Sequence, residues 1–219
     1  TKVVQLLLER CNSEESGLNI KDEDGWTPFM EACYNGHKDV VQLLLDHSER
    51  IDLNARDNYG DTAFTLACNN GHKDVVQFLL ENSNIDLKAR DNRRYTAFMI
   101  ACERGHKDVV QLILNNSGRI ELNARKNNGF TGFMLACMQG HRDVVKLILD
   151  NSLERNIYLN ARGTCGTSGF HLACKHGPRD VVKLLLDHSD RNIDLNVKDQ
   201  LGRTAFMVAC IHGRKDIVK

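Results

Sequence analysis

The 219-residue chain has no net charge, because 29 Lys and Arg offset 29 Asp and Glu. A balanced chain has no long-range field to draw it onto a phosphate backbone or an anionic bilayer, which removes nucleic acid and lipid surfaces as default partners. It also lacks any apolar run near the ~20 residues that cross a membrane, and no basic, apolar, small-residue leader opens it. Neither GxxxxGK[ST] nor HExxH nor GxSxG occurs, so the common phosphate-cradling, zinc-hydrolase and nucleophile-elbow signatures are absent. No catalytic, metal-binding or cofactor-binding residue is assigned, and the chain is not expected to be an enzyme. What it does have is 42% apolar residues, enough for a substantial core. The expected setting is cytoplasmic, with the nucleus also open to it. The sequence starts at Thr1 already inside "KVVQLLLE", which reads as the tail of a helical unit and suggests a piece of a longer protein.

The dominant feature is repetition. The glycines at Gly36, Gly71, Gly105, Gly140, Gly177 and Gly213 follow one another at spacings of 35, 34, 35, 37 and 36, a period that signals a solenoid. Each unit opens on a turn-rich stretch such as "ARDNYGDT" (55–62), whose Asn, Asp and Gly permit left-handed backbone. Thr62 stands where an N-cap belongs, "AFTLACNN" follows, and Gly71 suits the position that ends a helix. A second, longer helix is predicted in "HKDVVQFLLEN". There Asp74 complements the helix dipole, and Val75, Val76, Leu79 and Leu80 share one face. A two-turn helix does not persist alone in water, so stability must come from stacking each pair on its neighbours.

These units closely resemble ankyrin repeats. The family's "TPLHxA" opening is matched by "TPFMEA" (27–32), "TAFTLA" (62–67), "TAFMIA" (96–101), "TGFMLA" (131–136), "SGFHLA" (168–173) and "TAFMVA" (204–209). "GH" recurs at 36–37, 71–72, 105–106 and 140–141, and the lead into the hairpin appears as "DLNA" (52–55) and "ELNA" (121–124). The resemblance implies an all-α solenoid over 1–219, built from stacked helix pairs joined by hairpin or loop fingers, with a repeat length of 34–37. The expected units are a truncated outer helix and loop at 1–16, complete repeats at 17–51, 52–85, 86–120, 121–157 and 158–193, and a truncated repeat at 194–219. Residues beyond the family period are expected to lengthen the loop leaving each outer helix. Pro28 alone keeps the family's helix-opening proline, and His171, opposite Ser168, alone keeps its histidine. Ala or Gly in proline's place should leave the other inner helices starting less firmly. Arg94 replaces the turn glycine of the third finger, where positive φ is expected, so that fingertip is expected to rearrange.

Of eight cysteines, Cys33, Cys68, Cys102, Cys137, Cys174 and Cys210 hold one repeat position after Ala. Packed helices lie about 8–10 Å apart, beyond the ~7 Å Cα reach of a disulfide, so reduced core cysteines are expected. Cys33 and His37 are four apart, as are their counterparts in three further units, but the intervening glycine breaks the shared helical face that zinc would need. Cys165 near His171 shows no oxyanion partner and falls on a variable finger, so it is not read as a nucleophile. The asparagines of "LNA" and "LNV", at Asn54, Asn123, Asn160 and Asn196, sit where ankyrin arrays are sometimes hydroxylated. The simpler expectation is an amide that holds its own hairpin backbone.

In the resembled family, partners dock on finger tips, on the residue after the turn glycine, and on the exposed end of the inner helix. Carried onto this chain, the binding candidates are Trp26, Tyr34, Tyr59, Asp61, Arg93, Tyr95, Glu103, Phe130, Met138 and Arg203. Their variation within an otherwise repetitive chain is the signal, since the scaffold alone does not call for Trp in one unit and Asp in the next. Aromatics and Arg also serve well as interface anchors. The expectation is a monomeric, non-catalytic scaffold that binds another protein through finger tips and a concave inner-helix face, without nucleic acid or membrane insertion. The alternatives are a spacer or elastic tether, or the regulatory segment of a larger enzyme or channel. Both ends lack a polar capping repeat and are expected to fray.

Overall fold

The computed structural model describes residues 2–10, 17–188 and 193–218. Residues 11–16 of the expected leading segment, Cys11 among them, and 189–192 of the fifth loop lie outside the described residues. Among those described, the chain forms thirteen α-helices, and β-pairing is confined to an isolated bridge between Arg90 and Thr96. Helix α1 (Lys2–Arg10) precedes six helix pairs. The inner helices are α2 (Pro28–Tyr34), α4 (Ala63–Asn70), α6 (Ala97–Arg104), α8 (Gly132–Gln139), α10 (Gly169–His176) and α12 (Ala205–Ile211). Their outer partners are α3 (Lys38–Leu45), α5 (Lys73–Glu81), α7 (Lys107–Asn115), α9 (Arg142–Asn151), α11 (Arg179–Asp187) and α13 (Lys215–Val218). Inner helices pack on inner helices of adjacent units, outer on outer, and each inner helix on its own outer partner.

Local chemistry accounts for these boundaries. At each inner helix the Oγ of Thr27, Thr62, Thr96, Thr131, Ser168 or Thr204 accepts the backbone N–H three residues on, at 3.3–3.5 Å. The caps hold whether Pro, Ala or Gly follows. Helices α4, α6 and α8 end on Gly71, Gly105 and Gly140 at φ of 73–79°. Gly177 departs from the expected pattern, with φ −72° and extended backbone, because Pro178 follows and disfavours helical geometry in the residue before it.

The outer helices carry no side-chain cap. Instead the imidazole Nε2 atoms of His72, His106 and His141 lie 2.7–2.9 Å from the carbonyls of Tyr34, Asn69 and Glu103 in the preceding unit. Those rings rest against Gly36, Gly71 and Gly105, where a Cβ would come within 2.6 Å of each ring. The "GH" pair is therefore an interlocking feature between units: one unit's glycine makes room for the next unit's histidine. His171 makes a different link, with Nδ1 2.9 Å from Ser168 Oγ and Nε2 3.0 Å from the Arg203 carbonyl of the following unit.

The main core is one continuous seam. Phe29, Phe64, Phe98, Phe133 and Phe170 recur along it, each contributing about 1.5–3 kcal/mol by burial. Cys33, Cys68, Cys102, Cys137 and Cys174 are buried, and desolvation pushes their thiols well above the ordinary range. Cys210 corrects the expectation for that position: it is exposed, as is Phe206 at 60%, because no described repeat stacks on the far side of α12. Two of the extended loops wind into 3₁₀ turns, Ser48–Arg50 and Ser117–Arg119, and Arg119 reaches back to the Leu80 and Asn82 carbonyls.

The asparagine ladder also differs from expectation. Asn54 Nδ2 donates to the Asn84 carbonyl at 2.7 Å, and Asn54 Oδ1 accepts from Asp86 N at 2.7 Å. Asn123 does the same with Asn156 and Tyr158. These amides bridge to the next unit rather than hold their own finger, which satisfies two backbone groups per rung.

Candidate protein-binding edge

Each finger is a tight turn, and in four of the six a carboxylate closes it. Asp57 Oδ1 accepts from Tyr59 N at 2.9 Å and Asp61 N at 2.8 Å; Asp22, Asp91 and Asp199 do the same in their fingers. Successive fingers are tied by one backbone hydrogen bond each, from Asn58 N to the Asp24 carbonyl through to Gln200 N to the Cys165 carbonyl. Arg94 corrects a further expectation. It takes φ +67° and donates to the Asp91 carbonyl at 2.9 Å, as Gly60 donates to Asp57, so the third fingertip keeps the common geometry and does not rearrange.

Side chains after the turn reach the turn of the next finger. Trp26 Nε1–H donates to Asp57 Oδ2 at 3.1 Å and meets Tyr34 edge-on at 4.7 Å. Asp61 sits near Asp57 and Asp91, and burial together with those carboxylates raises its pKa. Tyr95 lies under Lys126, whose Nζ is 4.4 Å from the ring centroid and donates to the phenol oxygen. Phe130 covers Gly163, where a Cβ would come within 2.6 Å of the ring. Arg203 holds its own Asp199 through two contacts at 2.8 and 2.7 Å, which keeps that carboxyl below the usual range.

The third and fourth units bring several candidates together. Tyr95, 6% exposed, donates its hydroxyl to Glu103 Oε1 at 3.0 Å, so a hydrogen-bonded chain runs from Lys126 through Tyr95 to Glu103. Burial and the nearby Glu103 carboxylate push the Tyr95 phenol up to about 12, and burial lowers the Lys126 ammonium. Phe130 and Met138 pack half-buried over a small apolar cluster of Tyr95, Met99, Ile100, Ala124 and Leu135, separate from the main seam. Arg93, 75% exposed in its side chain, lies 5.1 Å over the Tyr95 ring. Trp26 and Tyr34 form a second group at the first unit, while Tyr59 projects alone, 65% exposed. Lys126 was not among the sequence candidates. Its signal was available, since it occupies the position held by Asp22, Asp57, Asp91 and Asp199 in other fingers.

A family model for ankyrin repeats (3 copies) matches at residues 1–91, 86–162 and 153–219, and the chain belongs to the ankyrin repeat family. A curated relative, ankyrin repeat domain-containing protein 49 of Bos taurus, is 47% identical over 47 residues, covering 22% of this chain and 18% of the relative. Among solved structures, a chain in the complex of the Bd0816 predatory endopeptidase from Bdellovibrio bacteriovorus with immunity protein Bd3460 superposes with a TM-score of 0.71. It is 23% identical, with 91% of this chain and 96% of that chain covered, a likeness of fold. Among the described residues no helix is long and apolar enough to cross a membrane.

Proposed function

We propose that this array is a non-catalytic recognition scaffold that binds another protein through its finger edge and inner-helix ends. The observation that carries the reading is the surface cluster of the third and fourth units. There the two half-buried side chains of Phe130 and Met138 cover an apolar patch that the main core does not use, beside the exposed Arg93. Aromatic, Met and Arg side chains around a partly desolvated patch are the composition of interface hot spots. A cytoplasmic monomer is the setting this reading adopts.

The test uses side chains that make no hydrogen bond to the next finger, and circular dichroism melts confirm that each variant folds. Trp26, Tyr95 and Phe130 each contact the next finger, so truncating them would confound folding with binding. A Tyr34→Ser, Tyr59→Ser, Met138→Ser variant is compared with an outer-helix control, Lys107→Ser, Lys183→Ser, in affinity capture from lysate followed by direct titration of whatever is captured. The expected result is a saturable partner that the first variant loses and the control retains. No saturable partner, or equal loss in both, would move the reading to a spacer or tether.

A further inference from the structure

The finger edge is electrically polarised along the array. The first finger presents Asp22, Glu23 and Asp24 against Lys21, and the second presents Asp61 against Arg56 with Asp57 buried under its turn. The third carries Arg90, Arg93 and Arg94 against Asp91 alone, and neither the fourth nor the fifth, at 125–130 and 162–167, has an acidic residue. The polarity arises at the turn-closing position, where Lys126 and Gly163 stand in place of the aspartate used elsewhere. Two carboxylates are thereby removed from adjacent fingers.

From this edge we infer that the third to fifth fingers form a docking site for an acidic segment of a partner protein, seated against Arg93, Arg94, Arg125, Lys126 and Arg162. This deepens the scaffold reading and rests on it. Two adjoining clefts, of about 410 and 250 Å³, share Lys126 and Asn127 and are lined by those five cations with no carboxylate. Asp91, the acid nearest Arg93, is buried beneath its finger; its Oδ1 takes the turn amides and its Oδ2 meets Arg93 Nε at 3.3 Å, while the Arg93 side chain stays 75% exposed. Arg94 adds an independent indication. It holds a left-handed conformation that costs a side-chain-bearing residue free energy, where five other fingers use glycine. Its guanidinium is exposed and makes no hydrogen bond or ion pair among the described residues. The fold gains nothing visible from that side chain, whereas a carboxylate ligand would. The occupant is a peptide segment rather than a nucleic acid because the same edge loses its positive charge at the second finger and turns acidic at the first, which would repel a polyanion extending along the array.

The probe is a dye-labelled peptide of alternating Glu and Ser, followed by fluorescence anisotropy against the array. A Lys/Ser peptide and an oligothymidylate of matched length serve as competitors. The acidic peptide should bind saturably and more weakly as salt rises. Arg93→Gln, Arg94→Gly should weaken it about five- to tenfold, as loss of two exposed charge contacts allows. Glu23→Gln, Asp24→Asn in the first finger should change it less than about twofold, because those residues lie off the site. Circular dichroism melts confirm that all variants fold. Equal weakening in both variants, no preference over the Lys/Ser peptide, or tighter binding of the oligonucleotide would overturn the proposal. Panning a random peptide display library on the array separates this proposal from the reading beneath it. Enriched acidic sequences support it; saturable neutral or basic sequences would leave the scaffold reading standing and overturn the acidic occupant. No enrichment, together with no captured partner, would overturn both.

Discussion

Replacing Arg94 with glycine should make the protein more stable. Arg94 sits at φ +67°, and its counterparts Gly25, Gly60, Gly129, Gly166 and Gly202 sit at 74–86°, so the turn geometry is set by the finger and not by the residue. A left-handed conformation costs an L-residue about 1–2 kcal/mol through crowding at Cβ. Glycine relieves that cost but loses about 0.5–1 kcal/mol more backbone entropy on folding. The net gain for Arg94→Gly is then about 0.5–1 kcal/mol, or about 1–4 °C in Tm for a chain of this length. The backbone donor is unchanged, since Arg94 N already bonds the Asp91 carbonyl as Gly60 N bonds Asp57. Arg94→Ala is the decisive companion, because it removes the same positive charge but keeps the Cβ. Urea and thermal unfolding of all three proteins, with hydrogen exchange of the third and fourth finger amides to localise the effect, would decide the matter. A gain in Arg94→Ala equal to that in Arg94→Gly would show that repulsion from Arg90, Arg93 and Arg125 is responsible, and a loss in Arg94→Gly would refute the strain argument outright.

Three other outcomes follow from the geometry. Asp61 has a raised folded pKa, so its protonated form is favoured in the native state and its charge costs stability as pH rises above the unfolded value; Asp61→Asn should raise Tm at pH 7, with the gain fading as pH falls below that value. Equal gains at pH 3 and pH 7 would contradict this. In a phenolate absorbance titration, Tyr95→Phe should remove an alkaline component near 12; the same reasoning makes Tyr95's contribution to stability complete below about 10 and lost as pH rises through about 12. Gly105→Ala should cost about 2 kcal/mol, because left-handed strain adds to the collision with His141, whereas Gly213→Ala, with φ +63° and nothing near its Cβ, should cost about 1 kcal/mol. Equal losses in chemical denaturation would refute the role assigned to the histidine.

The helix pairs were legible in the sequence because their causes are local: Thr at the cap, Asp in the first turn, and a Val-Val-x-x-Leu stripe facing inward. What sequence reasoning placed less well lies between units. The Asn54 amide satisfies a neighbour's backbone, and His72 packs on Gly36, at sequence separations of 30–38 residues. No local pattern discloses such a partner; only superposing the units in register does. Gly177 was misplaced because Pro178 overrides the repeat, and Cys210 because burial depends on the following unit, not on the residue itself. Gly132 and Gly169 read as weak helix openers, yet each has a packing reason. A Cβ there would lie 2.8–2.9 Å from the ring of Phe98 or Phe133.

The same registration governs how the binding edge can vary. In three fingers the residue after the turn meets the turn-closing position of the next finger, and there the two positions are matched as pairs. Trp26 is matched by Asp57, which accepts its indole N–H; Tyr95 by Lys126, which donates to its phenol; and Phe130 by Gly163, which alone leaves space for its ring. Replacing Asp57 leaves the Trp26 indole N–H without its partner, and any side chain at Gly163 collides with the Phe130 ring. The turn aspartate can be given up where its partner supplies other cover, as at the fourth and fifth fingers, and each such replacement removes a negative charge from the edge. The cationic character of that edge is thus coupled to its aromatic residues: Tyr95 and Phe130 are the side chains that let Lys126 and Gly163 stand where aspartate would otherwise close the turn.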